Sequence, residues 1–379
     1  MRRHDNRCGI AKVFSVVRSF LVSLVIAAVL FAGIETIIRF GFPQTLSTTL
    51  LGEDSLGQRD PHVGHTNRPN AHARVTGPEF DVEYMVNEQG YRDAALYTAD
   101  KPEGVTRVLL LGDSFTFGSG NDYADIWPVL LENNLQKQGH GIEVIKAGVP
   151  GFDTRREVLY LERLYDDLQP DIVAFVFLPN DLFTNTPITE TVDAPVQQRD
   201  DGLRTKRDKK SSLHSVTLFK RMLMLNDSLY ERLYLLTGRR NYFSTDPNSE
   251  VLSQFDETEK LLQRANAFCT EKGCEFMVLS IPQQFQVLVE ARATTPEGVD
   301  ATAIDTRLEA FATEEGFQWI SLLPELAKNY REQSEPLYYR FDGHMNQAGN
   351  RVAAEIISEA LKDRLAQRNA AVNSEPLSQ

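Results

Sequence analysis

The sequence predicts an α/β protein in which a parallel sheet is covered by helices on both faces. Short, mainly apolar runs, such as Arg107–Leu111, Ile142–Ile145 and Asp171–Phe177, are typical of strands buried on both sides. These runs alternate with longer segments whose apolar residues recur at a helical period, which indicates a three-layer α/β/α architecture. An apolar N-terminal stretch predicts one transmembrane helix ahead of this domain.

Residues 19–40 form the predicted transmembrane signal anchor, and residues 1–18 before it carry five basic residues and one acidic residue. A cleaved signal peptide is the competing interpretation, which the lack of a small-x-small site beyond the apolar core disfavours. Because a positively charged flank stays in the cytoplasm, residues 1–18 are predicted to be cytoplasmic. The rest of the chain is then extracytoplasmic, and in a Gram-negative host the protein is single-pass in the inner membrane with a periplasmic domain.

Residues 43–105 are predicted to form an N-terminal cap region. The alternating stretch Phe80–Val86 predicts a strand or hairpin, and the segment Asn87–Arg92 is expected to cover the sheet edge as a structural element. Three histidines in this region, at positions 62, 65 and 72, lack the cysteines or spaced carboxylates of a metal site. No metal site is therefore predicted here.

The α/β domain is predicted over residues 106–367, with an insertion at residues 183–249 and a disordered tail at residues 368–379. The insertion turns amphipathic from Leu213 to Leu236, with a break near Asn226, and is expected to pack against the domain; covering the site or lying on the membrane are the alternatives. The sequence leaves open whether Cys269 and Cys274 form a disulfide or stay as two thiols.

Ser114, in the turn Gly112–Gly118 directly after a predicted strand, is the candidate nucleophile. In open α/β sheets ligands bind at the carboxyl ends of the strands, although a loop serine can also simply cap the next helix. A nucleophilic serine needs a base, an orienting carboxylate and donors for an oxyanion, which other parts of the chain must supply.

An Asp-x-His pair near the C-terminus supplies the base and the carboxylate. In extended backbone, residues i and i+2 project to the same side, so Asp342 is expected to reach Nδ1 of His344 and leave Nε2 for Ser114. The other such pair, Asp60 and His62, lies in an irregular stretch and is interpreted as a turn.

Two further strand ends supply candidate oxyanion donors. Gly151 follows the predicted strand at Ile142–Ile145 and can offer a backbone N–H, while Asn180 follows the predicted strand at Asp171–Phe177 and offers an amide side chain. Because parallel strands end at the same sheet edge, both donors are expected near Ser114.

These four blocks resemble, in order, those of the SGNH (GDSL-type) hydrolase superfamily, from about Thr106 to Leu365 without the insertion. The resemblance implies a flavodoxin-like fold, Ser114 as nucleophile, His344 and Asp342 as base and orienter, and an oxyanion hole formed by Ser114, Gly151 and Asn180. The sequence departs from the family pattern at two places. The usual Gly-x-Asn-Asp block is here Leu178–Asp181, without its glycine, and the usual Asp-x-x-His spacing is shortened by one residue at Asp342–His344. The shorter spacing is similar to that of membrane-anchored relatives.

The resemblance implies a serine-dependent esterase that hydrolyses O-acyl esters, in particular O-acetyl esters of an extracytoplasmic carbohydrate, through an acyl-enzyme on Ser114. Anchored relatives with a segment similar to Asn87–Arg92 are associated with bacterial polysaccharides, so O-acetyl transfer with a membrane acyl-donor partner is the alternative. A non-catalytic carbohydrate-binding or scaffold protein is the third possibility.

The composition narrows the range of partners. The formal net charge of −13 argues against nucleic acid as a partner, and the short basic run at residues 204–210 is interpreted as a solvated loop.

Walker A, His-Glu-x-x-His and dinucleotide glycine fingerprints are absent from the sequence. A Gly-x-Ser-x-Gly elbow is absent too, which disfavours an α/β-hydrolase. The predicted catalysis needs no cofactor and no metal.

Overall fold

The computed structural model describes residues 5–46, 48–51, 56–185, 213–292 and 295–374. The chain forms two compact units. One comprises residues 1–47 and 207–223, and the other comprises residues 48–206 and 224–379.

Ten strands lie in the described residues, and all of them belong to the second unit. In chain order they are β1 (Thr49–Leu51), β2 (Gly57–Asp60), β3 (Gly64–Asn67), β4 (His72–Thr76), β5 (Asp81–Met85), β6 (Thr106–Gly112), β7 (Ile142–Gly148), β8 (Ile172–Phe177), β9 (Glu275–Ser280) and β10 (Gln318–Ser321).

Twelve α-helices lie in the described residues. They are α1 (Asp5–Gly41), α2 (Ser114–Phe117), α3 (Trp127–Lys137), α4 (Thr154–Leu168), α5 (Asp181–Thr184), α6 (His214–Met224), α7 (Asp227–Leu235), α8 (Ser249–Lys272), α9 (Gln284–Arg292), α10 (Ala303–Glu315), α11 (Leu323–Gln333) and α12 (Gln347–Ser374). Short 3-10 helices occupy Tyr123–Asp125 and Gly238–Phe243.

The central sheet has five strands in the order β10-β9-β8-β6-β7, and every pair is parallel. All seven residues of β6 are buried because helices cover both faces of the sheet. Leu109 and Leu111 pack into one apolar cluster with residues of α4, α8 and α10. Val108 and Leu110 point the other way, into a cluster with residues of α3, α11 and α12. The predicted three-layer α/β/α class is confirmed.

The N-terminal part of the second unit contains two small antiparallel sheets. One pairs β2 with β3, and the other has the order β1-β4-β5. The β4–β5 hairpin alternates buried and exposed residues, and its buried side chains Val75, Val82 and Tyr84 pack around Phe117. The alternation near Phe80–Val86 therefore marks the second strand of a hairpin.

In the first unit, α1 contains a 27-residue segment, Ser15–Gly41, that is long and apolar enough to cross a membrane. A signal sequence of this kind has the same properties. The α6 helix begins beside this segment, where the Glu35 carboxylate accepts the backbone N–H groups of His214 and Ser215 at 3.0 and 2.8 Å. Two of the N–H groups that a helix start leaves free are thereby satisfied.

Several boundaries differ from the prediction. The closing helix α12 continues to Ser374, beyond the predicted end at residue 367, so part of the predicted tail is helical and residues 375–379 lie outside the described residues. The amphipathic insertion splits at Asn226, whose side chain accepts the Leu229 N–H and caps α7, whereas residues 186–212 lie outside the described residues. Neither α9 nor α11 was predicted from the sequence. Cys269 and Cys274 are buried free thiols.

Candidate active site

The strand order places the three sequence blocks side by side. Since β6 lies between β7 and β8, the turns that follow these three strands meet at one edge of the sheet. Ser114 follows β6, Gly151 follows β7 and Asn180 follows β8. The chain order reverses at β6, and this kind of topological switch point is where open α/β sheets bind ligands.

The turn around Ser114 depends on close backbone packing. Asp113 caps the short helix α2 by accepting the Phe115 N–H at 2.8 Å, so Ser114 begins the helix. A Cβ atom on Gly112 would lie 2.1 Å from Oγ1 of Thr116, and a Cβ atom on Gly148 would lie 2.4 Å from the Phe117 nitrogen. Both positions therefore require glycine if α2 is to pack against the ends of β6 and β7.

The predicted triad side chains form one hydrogen-bonded chain. Nε2 of His344 lies 2.7 Å from Oγ of Ser114, and Nδ1 of His344 lies 2.5 Å from Oδ1 of Asp342. The two histidine contacts have the geometry of a base held by a carboxylate. All three residues were identified from the sequence, and the structure brings them together across 230 positions of the chain.

The backbone of the Asp-Gly-His segment is not extended, contrary to the expectation. Gly343 has a φ of 94°, in the left-handed region, and its N–H donates to the carbonyl of Tyr339 at 2.8 Å. Asp342 and His344 therefore meet inside a tight turn. Because a residue with a Cβ atom rarely adopts this φ, the central glycine allows the shortened spacing.

The electrostatics of the pair favour a basic histidine. Burial acts to lower the pKa of His344, but the hydrogen bond and the charge of Asp342 outweigh burial and raise that pKa above its usual value of 6.5. Burial acts to raise the pKa of Asp342, and the contacts with His344 outweigh it, so the carboxyl pKa is lowered. Asp342 is thus the charged partner that stabilises an imidazolium.

The three predicted oxyanion donors are not used in hydrogen bonds within the described part of the protein. Among the described residues, the N–H groups of Ser114 and Gly151 and the side-chain amide of Asn180 have no hydrogen-bond acceptor. Gln283 donates from Nε2 to Oδ1 of Asn180 at 3.4 Å, while Oε1 of Gln283 accepts the Tyr234 hydroxyl. Gln283 thereby leaves the Asn180 amide N–H groups free for a ligand. The sequence carried no signal for this role of Gln283.

Asn180→Ala is expected to lower turnover of an aryl acetate by roughly 10²- to 10³-fold, because one preorganised donor to the developing oxyanion is lost. Steady-state kinetics on the purified protein measure the effect, with exposed Asn133→Ala on α3 as the matched control. A wild-type rate for the Asn180 variant would show that the block without its usual glycine forms a different oxyanion hole.

Buried carboxyl groups neighbour the oxyanion donors in the sequence. Asp113 precedes Ser114, Asp153 lies two residues after Gly151, and Asp181 follows Asn180; each of these acids is buried. Glu157 of α4 is buried too, and both of its side-chain oxygens lack a hydrogen-bond partner among the described residues. Burial raises the pKa of each of these four acids.

The charges of neighbouring acids raise the pKa values of Glu157 and Asp181 further, well above their usual range. A raised pKa favours the neutral form of a carboxyl group, and a neutral carboxyl group does not oppose an oxyanion nearby.

Glu157→Gln is expected to make folding stability less dependent on pH. Since the folded pKa of Glu157 is raised, the native state holds a proton that the unfolded chain releases above the ordinary carboxyl pKa of about 4.5. Stability of the wild type then falls as pH rises towards the folded pKa, by up to roughly 1.4 kcal/mol per pH unit. Chemical unfolding from pH 5 to 9 measures this. The variant should gain on the wild type as pH rises; a parallel pH dependence would contradict the neutral state of Glu157.

Residues of the N-terminal region hold two of the three strand-end turns. Asn67 donates from Nδ2 to the Gly148 carbonyl at 2.9 Å, and Nε2 of His65 lies 2.9 Å from the Pro150 carbonyl, beside Gly151. Arg92 is buried and donates to carbonyls of residues 117–121, which follow the nucleophile. The Arg92 side chain is thus a structural element of the nucleophile turn, as expected of the segment Asn87–Arg92, and its guanidinium does not bond to the triad side chains.

The fold and the site define a class: a three-layer α/β/α enzyme with a Ser–His–Asp arrangement at the switch point of its parallel sheet. A family model described as the GDSL-like lipase/acylhydrolase family matches residues 110–352. The chain belongs to this family and is accordingly an enzyme of the ester-hydrolysing GDSL class.

Similar proteins include an arylesterase from Vibrio mimicus, 32% identical over 75 residues, which are 20% of this chain and 38% of the arylesterase. The chain thus aligns with less than half the length of that relative. Among solved structures, TesA has a TM-score of 0.40 at 15% identity, covering 68% of this chain and 99% of its own. The acetyl xylan esterase AlAXEase has a TM-score of 0.40 at 15% identity, covering 67% and 99%. The esterase EstA from Pseudoalteromonas sp. has a TM-score of 0.41 at 11% identity, covering 69% and 99%.

Proposed function

We propose that the protein is a serine esterase that hydrolyses O-acyl esters, in particular O-acetyl esters of an extracytoplasmic carbohydrate. The observation that carries the proposal is the continuous hydrogen-bonded chain from Asp342 through His344 to Ser114. Membership of the GDSL-like family and the similarity to an arylesterase support ester hydrolysis.

In the first half of the proposed reaction, Oγ of Ser114 attacks the ester carbonyl carbon while Nε2 of His344 takes the hydroxyl proton. Asp342 stabilises the imidazolium that forms, and the donors of Ser114, Gly151 and Asn180 bind the oxyanion. When the tetrahedral intermediate collapses, the carbon–oxygen bond to the alcohol breaks. Nε2 of His344 returns its proton to the leaving oxygen, so the alcohol departs and an acyl ester remains on Ser114.

In the second half, a water molecule attacks the acyl carbon and gives its proton to Nε2 of His344. Collapse of the second tetrahedral intermediate breaks the bond to Oγ of Ser114, which recovers the proton from the histidine. The products are the free carboxylic acid and the restored enzyme. Transfer differs only in that a sugar hydroxyl replaces the water.

The location is part of the proposal. We infer that α1 is an uncleaved anchor and that residues after about Phe42 lie outside the cytoplasm, because the basic residues precede the apolar segment Ser15–Gly41. In a Gram-negative host the domain would be periplasmic. An O-acetylated surface or exported carbohydrate is then a substrate within reach of the site.

Hydrolysis is favoured over transfer because the two reactions need different co-substrates. An O-acetyltransferase needs an acyl donor outside the cytoplasm, hence a membrane partner that carries acetyl groups across the bilayer. In the described part of the chain, α1 is the one helix long and apolar enough to span a membrane, and a single helix forms no such path. An esterase needs only water.

The deciding experiment gives the purified protein an activated acetyl donor together with oligosaccharide acceptors, and separately gives it acetylated oligosaccharides. Acetate release and sugar mass are followed in both. Loss of acetyl mass from the sugars with matching acetate release supports the esterase. Acetylated sugar that appears faster than free acetate, and that needs Ser114, would instead establish transfer.

A further inference from the structure

The Asp342–His344 pair lies in a loop, residues 337–346, that no regular secondary structure supports from within. An isolated antiparallel bridge joins Tyr338 to Met345, and the N–H of Tyr339 donates to the carbonyl of His344 at 2.8 Å. Both contacts lie near the open end of the loop. At the far end, the N–H of Gly343 donates to the carbonyl of Tyr339 at 2.8 Å and closes the turn of residues 340–342, whose own N–H groups donate outside the loop.

The Glu79 carboxylate accepts all three of these backbone N–H groups. Its Oε1 accepts the N–H of Arg340 at 2.7 Å, and its Oε2 accepts the N–H groups of Phe341 and Asp342 at 2.8 and 3.1 Å. Hydrogen bonds from backbone N–H groups to a carboxylate are charge-assisted and stronger than neutral ones. One side chain thus holds three consecutive backbone donors, and the last belongs to the residue that bonds His344.

Glu79 is itself fixed by the fold. It lies in the turn of the β4–β5 hairpin, which the Gly77 N–H closes by donating to the Phe80 carbonyl at 2.8 Å. The Phe80 ring lies 5.4 Å from the Tyr339 ring, centroid to centroid. A Cβ atom on Gly120 would lie 2.9 Å from the Tyr339 ring and 3.1 Å from the Phe80 ring, so these groups pack closely.

Two hydroxyl groups join the hairpin, the nucleophile turn and the loop. The hydroxyl of Tyr84, on β5, accepts the Gly120 N–H at 2.6 Å. The hydroxyl of Tyr339 donates to the Gly120 carbonyl at 2.9 Å. The turn after Ser114 and the loop that carries His344 are therefore tied to the same hairpin.

We propose that Glu79 is a positioning residue for the Asp342–His344 pair: the hairpin tip brings its carboxylate to the N–H groups of residues 340–342, and this holds the acid in line with the histidine. The inference rests on the proposed esterase function. Glu79 does not bond to Ser114 or to the His344 ring, so it acts on the reaction through the backbone of the loop.

The test compares Glu79→Ala, Glu79→Gln and Glu83→Gln in the full-length protein with an aryl acetate. Glu83 is the matched control because it is exposed on the same hairpin and faces His72 at 3.7 Å. Glu79→Ala should lower kcat by roughly 10- to 100-fold with little change in KM, since a small displacement of catalytic groups costs rate rather than substrate binding. Glu79→Gln keeps one acceptor oxygen and should fall between Ala and wild type.

A spectroscopic readout separates positioning from general loss of structure. The proton between Nδ1 of His344 and Asp342 should give a low-field NMR resonance in the wild type and in Glu83→Gln, assigned by its loss in Asp342→Asn. That resonance should weaken or vanish in Glu79→Ala. If the Ala variant does not fold, the Gln variant carries the test.

Wild-type kcat in both Glu79 variants, or a reduced kcat with an unchanged resonance, would overturn the inference. An inactive wild type would instead contradict the proposed function, so the two failures are distinguishable.

Discussion

Ser114→Ala is expected to lower ester turnover by roughly 10⁴- to 10⁶-fold while the protein stays folded, because the covalent route is lost and only binding and the oxyanion donors act on the substrate. A fluorophosphonate probe should label the wild type once per chain and leave the variant unlabelled. Oγ of Ser114 is the expected target because it lies 2.7 Å from Nε2 of His344.

The matched control is Ser253→Ala, an exposed serine on α8, which should keep wild-type turnover and labelling. A folded wild type that takes no label and shows no turnover, and whose ligand affinity is unaffected by Ser114→Ala, would favour a binding or scaffold protein. Labelling that persists in Ser114→Ala would assign the nucleophile to another serine.

Asp342→Asn is expected to lower kcat by roughly 10³- to 10⁴-fold at neutral pH, with little change in KM. An amide at position 342 can donate to the histidine and so favour the wrong tautomer, and it carries no charge to stabilise the imidazolium. Steady-state kinetics on an aryl acetate measure the loss, and Asp363→Asn, exposed on α12, is the matched control.

The same variant should change the pH profile in a defined direction. The wild type needs neutral His344 as base, and the raised pKa of this residue places the acidic fall of kcat/KM above pH 6.5. In Asp342→Asn the charge that raises the pKa of His344 is gone while burial, which lowers it, persists. The acidic limb should therefore move to lower pH. Full activity with an unmoved limb would assign the acid to another residue.

If Asp342 were not the acid, the buried carboxyl groups of Asp113 and Asp181 would be the alternatives, but their contacts in the structure are different. Oδ1 of Asp113 accepts the Phe115 N–H, and Oδ2 of Asp181 accepts the Leu178 N–H at 3.1 Å. The histidine's Nδ1 is bonded to Asp342 instead. Each of the two alternative acids therefore organises the turn of its own strand end.

Local patterns in the sequence identify the strands of the central sheet and the functional residues in the turns after them. Short, mainly apolar runs identify strands buried on both faces, and a serine, a glycine and an asparagine in the turns after such runs meet at one sheet edge once the strands are parallel. Identifying these residues requires only the apolar runs and the rule that parallel strands end at the same edge of a sheet. These patterns therefore identify Ser114, Gly151 and Asn180 from the sequence.

The tertiary structure alone decided what holds these residues in place. Glu79 contacts residues 261 to 263 positions away, and Gln283 contacts Asn180 from 103 positions away. A single glutamate in a turn or a single glutamine after a strand has no periodicity or spacing that predicts such a partner. The left-handed conformation of Gly343 could not be predicted from the sequence either, because hydrogen bonds elsewhere in the loop impose the turn that this glycine allows. Local patterns identify the groups that react, whereas their alignment depends on long-range hydrogen bonds that only the folded chain brings together.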